Sequence, residues 1–229
     1  LGATPRDRRR LPVNRNACFI GRESTLEQIR RAFLSSGARA PVIALTGMRG
    51  VGKTQLAIEY AYRHAEDREN YERVLWVRAS AEEVLRSEFA GLAMQLDIEE
   101  KARAEPDLRI EGVRRWLTAT SGWLLIIDNA DKPESVQWLS ALLPPKPAGH
   151  VLITSTHPSW NKLAQPLPVD VLALRHAIQL LARRSGQPPC QESELIALRL
   201  GQLPLALTQA AAYLERTGMS YGKYLQLLS

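Results

Sequence analysis

Residues Gly47, Met48, Arg49, Gly50, Val51, Gly52, Lys53 and Thr54 run consecutively and fit the pattern G-x-x-x-x-G-K-[ST]. That pattern binds phosphate. Gly47, Gly50 and Gly52 let the backbone turn its amides inward with no Cβ in the way of the phosphates. Lys53 places an ammonium near the β and γ oxygens, and the Thr54 hydroxyl is a ligand for Mg²⁺. A second candidate is Asp128, which closes the apolar run Trp123-Leu124-Leu125-Ile126-Ile127. A carboxylate at the C-terminal tip of a parallel strand faces the ligand crevice. This is the Walker B position, which holds Mg²⁺ directly or through water. Asn129 follows it. A basic carboxylate there would polarise an attacking water. Asn can orient a water but cannot take its proton, and it is equally at home as a turn former. Either way slow hydrolysis is expected. Thr154 and Ser155 end another run, His150–Ser155. They read either as groups that reach a γ-phosphate or as a hydrogen-bonded strand terminus.

These residues need a frame that aims them at one point. Pro41–Thr46 reads as a buried strand entering the loop, and Lys53–Tyr62 as a helix leaving it. The helix start adds its positive dipole end. Further strands are expected at Val74–Ala79, Trp123–Asp128, His150–Ser155 and Pro166–Val171. Between them lie helical patterns. Leu26, Ile29 and Phe33 share one face. Leu85, Phe89, Leu92 and Leu96 share another, behind a capping box at Ser80–Glu83. Ile110, Val113 and Leu117 mark a third. Strands alternating with helices imply an α/β fold, a parallel sheet of about five strands sandwiched by helices. Beyond residue 171 the strand signals stop. Leu174, Ile178, Leu181, Leu195, Leu198, Leu205, Leu207, Ala210, Ala211 and Leu214 recur at helical spacing, with glycine and proline between the segments. The expected organisation is an arm over 1–17, a nucleotide-binding domain over 18–170 and a small all-helical subdomain over 171–229. Pro204 stands where a helix begins, which is ordinary chemistry for proline.

Composition removes other classes. Of the 229 residues, 45% are hydrophobic, enough for a sizeable core. No apolar stretch reaches the roughly eighteen residues of a membrane span. The start is polar and Arg-rich, unlike a signal peptide. Net charge is +6, but Arg6, Arg8, Arg9 and Arg10 less Asp7 supply +3 of it. That run reads as a solvated arm, and no aromatic-interleaved basic stripe follows, so nucleic acid is not expected as a partner. Cys18 and Cys190 lack metal spacing and read as reduced thiols. The four histidines have no ligand spacing. The five tryptophans read as core or domain contacts. The expected location is cytoplasmic. The chain begins without Met and ends inside an apolar helical run, and so reads as part of a longer protein.

Five segments now stand in order: Phe19-Ile20-Gly21-Arg22-Glu23, the loop 47–54, Leu124–Asp131, Val151–Ser155, and Leu200–Leu207 with Gly201, Pro204 and Leu205. Together they resemble the NB-ARC module of STAND NTPases, signal-transducing switches, in wording nearest to members with tetratricopeptide repeats. The resemblance implies that Phe19, Ile20, Gly21 and Arg22 lie against adenine. It implies that the loop, with Gln55 after it, holds the phosphates of ADP or ATP, and that Thr54 and Asp128 serve Mg²⁺. Thr154 and Ser155 fall at the sensor position. Pro204 and Leu205 would touch the nucleotide from the helical subdomain and lock an ADP-bound closed form. Many members carry Arg at the position of Thr156; this chain does not. A longer protein is implied, with an effector before this segment and a winged helix and repeats after it. The segment alone would be a monomer, and the activated protein a homo-oligomer. The alternative is an AAA-like or DNA-associated ATPase that does work by hydrolysis. Asn129 and Pro204 speak against that alternative.

Overall fold

The computed structural model describes residues 14–34, 42–66, 71–98 and 105–228. The Arg-rich run of the arm and Pro41 lie outside the described residues. The chain runs α1 (Glu23–Leu34), β1 (Val42–Thr46), α2 (Lys53–Glu66), β2 (Arg73–Arg78), α3 (Glu82–Gln95), α4 (Pro106–Ala119), β3 (Trp123–Asp128), α5 (Ser135–Leu142), β4 (His150–Ser155), β5 (Gln165–Pro168), α6 (Leu174–Ser185), α7 (Gln191–Arg199), α8 (Pro204–Thr217) and α9 (Tyr221–Leu227).

The five strands form one sheet in the order β2-β3-β4-β1-β5, every pair parallel. β1 and β3 are buried along their whole length, as strands covered on both faces must be. Successive side chains take opposite faces. Ile43, Leu45, Leu124, Ile126 and Leu152 meet α1 and α2 on one side. Ala44, Leu125, Ile127, Val151 and Ile153 meet α3, α4 and α5 on the other. The handedness rule explains the split. The path from β1 to β2 runs one way across the sheet and the return to β3 and β4 runs the other, so right-handed crossovers put their helices on opposite faces.

After β5, α6 packs against α7 and α8, and α7 against α9. Leu181, Ile196, Ala210, Ala211, Leu214 and Tyr221 form the heart of this helical unit. Three local expectations fail. The last strand, expected over Pro166–Val171, ends at Pro168. The capping box at Ser80–Glu83 does not form: the N-cap is Ala81, with no side-chain cap. The Ala79 N–H donates to the Asp128 carbonyl at 2.7 Å, which keeps the chain extended and starts the helix one residue later. Leu195 and Leu198 are exposed; α7 buries Ser193, Ile196 and Ala197 instead. Spacing alone chose the wrong face of a short helix.

Candidate functional site

The C-terminal ends of β1, β3 and β4 converge beneath the loop 47–54, as a parallel sheet arranges its ligand crevice. Gly47 and Gly50 explain why the loop is glycine-rich. Gly47 has φ +153°, and a Cβ there would sit 2.5 Å from the Val169 carbonyl oxygen. Gly50 has φ +82°, and a Cβ would press on the Leu205 side chain at 3.1 Å. Lys53 is buried and donates from Nζ to the carbonyls of Gly47 (2.8 Å) and Met48 (3.0 Å). Burial lowers its pKa; Asp131 and then Asp128 oppose that shift, and the Arg49 charge adds to it.

Asp128 is the hub of the sheet side. Its Oδ1 accepts from Thr54 Oγ1 and from Thr154 Oγ1, each at 2.7 Å. The Thr154 hydroxyl in turn accepts the Asn129 N–H at 2.9 Å. Asn129 has φ +61°, a left-handed geometry that Asn tolerates better than most residues. It is therefore both the turn former and a residue of the cavity wall. Ser155 donates to the Ala130 carbonyl and accepts the His157 N–H at 2.9 Å. Of the two readings of Thr154 and Ser155, the hydrogen-bonded terminus describes what is seen. Both are buried, Thr154 acts through Asp128, and Ser155 does not reach the cavity.

A cavity of about 470 Å³ lies between the loop and the helical unit, within the range of small-molecule sites. Of the candidate site residues, Phe19, Ile20, Arg22, Arg49, Gly50, Val51, Gly52, Lys53, Thr54, Gln55, Asn129, Pro204 and Leu205 line it. Two further expected residues, Gly21 and Met48, contribute from behind. Gly21, at φ +71°, lets the chain pass against His176, whose ring would meet a Cβ at 2.4 Å. Met48 gives its carbonyl to Lys53 while its side chain points to solvent. The Arg22 guanidinium is committed to the carbonyls of Val51 (3.1 Å) and Asp170 (2.6 Å), so it braces the loop against the chain leaving β5.

The helical unit reaches the loop directly. Pro204 is the first residue of α8, where a missing N–H costs nothing. The next N–H, that of Leu205, donates to the Gly50 carbonyl at 3.2 Å. The Pro204 ring faces Gly52, whose Cβ position lies 3.9 Å from Pro204 Cγ. The Leu172 N–H donates to the Gln202 carbonyl at 3.1 Å and ties the chain after β5 to the turn before α8. Asn16, Cys18, Leu172, Leu180, Arg184 and Thr208 also line the cavity and were not foreseen. They belong to no motif; the one signal available was the i, i+4 pairing of Leu180 with Arg184 on one face of α6. Both cysteines are free.

Thr54 and Asp128 meet through hard oxygen atoms at 2.7 Å, a donor set that suits Mg²⁺. No cluster of His, Cys, Asp or Glu that would hold a metal by itself occurs among the described residues. No described helix is long and apolar enough to cross a membrane.

The loop, the Asp128 hub and the five-stranded parallel sheet define a P-loop NTPase. Residues 18–154 match the AAA ATPase domain family, and the chain belongs to it. It is similar to a nucleotide-binding leucine-rich repeat (NLR)-like protein of Hyaloscypha variabilis, 26% identical over 95% of this chain and 24% of that protein. Among solved structures it resembles a STAND protein with a tetratricopeptide repeat sensor from Pyrococcus horikoshii. The identity is 23% and the TM-score 0.55, covering 86% of this chain and 31% of that one. It also shares the fold of Drosophila ORC bound to DNA, at 16% identity and TM-score 0.65, covering 98% of this chain and 64% of that one. The NLR-like relative and the STAND structure agree with the resemblance drawn from the five motifs. The chain spans about a quarter or less of the length of the curated relatives it matches.

Proposed function

We propose that this chain is the ADP/ATP-binding switch of a STAND signalling protein. ADP holds the helical unit against the phosphate loop. Exchange for ATP loosens that contact, and the longer protein then oligomerises and passes the signal to its other domains. The observation that carries the reading is the contact of α8 with the loop, Leu205 N–H to Gly50 carbonyl with Pro204 over Gly52. A ligand in the cavity touches both units at once, so its binding energy acts on their arrangement. A ligand shifts a conformational equilibrium only through differential affinity for the two states. Asn129, which cannot accept a proton, supports a device that works by binding more than by turnover.

Lys53 and the loop amides would hold the phosphates. Thr54 and Asp128 would hold Mg²⁺, which neutralises charge on the phosphate oxygens. Phe19, Ile20, Leu172 and Leu180 would shelter the base. The division into a domain over 18–170 and a helical subdomain over 171–229 is part of this proposal. The experiment is calorimetry of ADP binding. Lys53→Ala removes a charge-assisted contact of about 1.5–3 kcal/mol and should weaken ADP roughly tenfold or more. An unchanged ADP affinity in a folded variant contradicts the assignment.

A further inference from the structure

A switch of this kind needs a group that tells ATP from ADP, because exchange between ligands of equal effect shifts nothing. Four cations of the described residues line the cavity: Arg22, Arg49, Lys53 and Arg184. Arg22 is committed to two carbonyls, and Lys53 is seated on the loop. Arg184 stands on α6, in the helical unit. Arg49 differs from all three. It stands within the phosphate loop, its side chain is 85% exposed, and its Nη2 lies 3.7 Å from Asp131 Oδ2. That separation is an ion pair but exceeds the 2.7–2.9 Å of a charge-assisted hydrogen bond. Such a loose surface pair costs little to give up.

Asp131 is held from the other side. Its Oδ1 accepts the Thr156 N–H at 2.8 Å, which fixes the carboxylate to the chain just beyond β4. Arg49, Asp131, Thr156 and Asn129 therefore stand together on the cavity wall with Lys53 and Thr54. Asp131 is also the first charge to act on Lys53, ahead of Asp128. A carboxylate so placed repels a terminal phosphate unless a cation offsets it.

We propose that Arg49 is the γ-phosphate discriminator of this site: it pairs with Asp131 when a diphosphate is bound and turns to the terminal phosphate when a triphosphate is bound. The inference rests on the nucleotide reading above. A guanidinium suits this exchange because its planar fork matches carboxylate and phosphate alike. Asp131 and the γ-phosphate then compete for one partner, and the preference for ATP over ADP is set by that competition.

The test is calorimetry with ADP and with the β,γ-imido analogue of ATP, each with Mg²⁺, on the wild type, Arg49→Gln and Asp131→Asn. Arg49→Gln should weaken the triphosphate analogue about tenfold and leave ADP within about twofold. Asp131→Asn keeps an acceptor for the Thr156 N–H but frees Arg49, so it should move the preference the opposite way, toward the triphosphate. A merely structural role would move both nucleotides together. Equal effects on the two ligands in Arg49→Gln, or a shift of the same sign in both variants, would overturn the proposal. A wild-type protein that binds neither nucleotide would overturn the site reading itself, before any variant is compared.

Discussion

At the phosphate end of the cavity, polar side chains fix one another: Thr54 and Thr154 both donate to Asp128, Asn129 N–H is held by Thr154, and Asp131 is held by Thr156 N–H. At the other end, Leu172, Ala177, Leu180, Ala197 and Leu207 cluster with Cys18 and Ile20 against them. The first end is a hydrogen-bonded lattice on the tips of buried strands. The second is an apolar seam between the N-terminal segment and the helical unit. Directional bonds to buried strands allow few arrangements. Apolar contact is non-directional and tolerates sliding. Under the proposed reading the two ends would do different work: the lattice would hold phosphate and metal in place, and the seam would move.

The comparison is broken most severely at the seam. Leu180 is 5% exposed and lines the cavity. Leu180→Ala should cost about 2–5 kcal/mol of stability, read from urea unfolding. The gain in ATP affinity on adding Mg²⁺ should survive in that variant, because Thr54 and Asp128 are untouched. A Mg²⁺ gain that collapses with the seam would show that the two ends are not separable.

Thr154→Val sharpens the same contrast from the lattice side. It keeps the shape, removes a donor to Asp128 and leaves the Asn129 N–H without its acceptor. The expected cost is about 1–3 kcal/mol, and here the Mg²⁺ gain should shrink. Calorimetry with and without Mg²⁺ gives the answer, and an undiminished gain would remove Thr154 from the account of the metal site.

The same contrast explains what could be read from the sequence. β3 and β4 keep the bounds read from the sequence, Trp123–Asp128 and His150–Ser155, because a strand buried on both faces carries an uninterrupted apolar run at its centre. Gly47, Gly50, Lys53, Thr54 and Asp128 could be placed at the loop and strand tip because the motif G-x-x-x-x-G-K-[ST] and a carboxylate closing an apolar strand admit few residue types there. The seam left no such mark. Asn16, Cys18, Leu180, Arg184 and Thr208 come from segments far apart in the chain, and any apolar or polar residue of suitable size would satisfy a local pattern there. Arg49 and Asp131 are a case between the two. Each was visible, but only the fold shows that they face one another. Leu195 and Leu198 mark the limit of spacing arguments, since a helix as short as α7 offers two nearly equivalent apolar faces.

Pro204 joins the two ends. It opens α8, belongs to the helical unit and faces Gly52 of the loop. If ADP holds the units together, trimming this ring should release ADP faster while the loop stays intact. Pro204→Ala also relaxes the helix start, so the unliganded variant must first be shown to be folded. The measurement is the dissociation rate of a fluorescent ADP analogue by stopped flow, in wild type and Pro204→Ala. A faster rate in a normally folded variant is the predicted result; a rate equal to wild type would leave Pro204 as helix punctuation and contradict the claim that the nucleotide locks the helical unit to the phosphate loop.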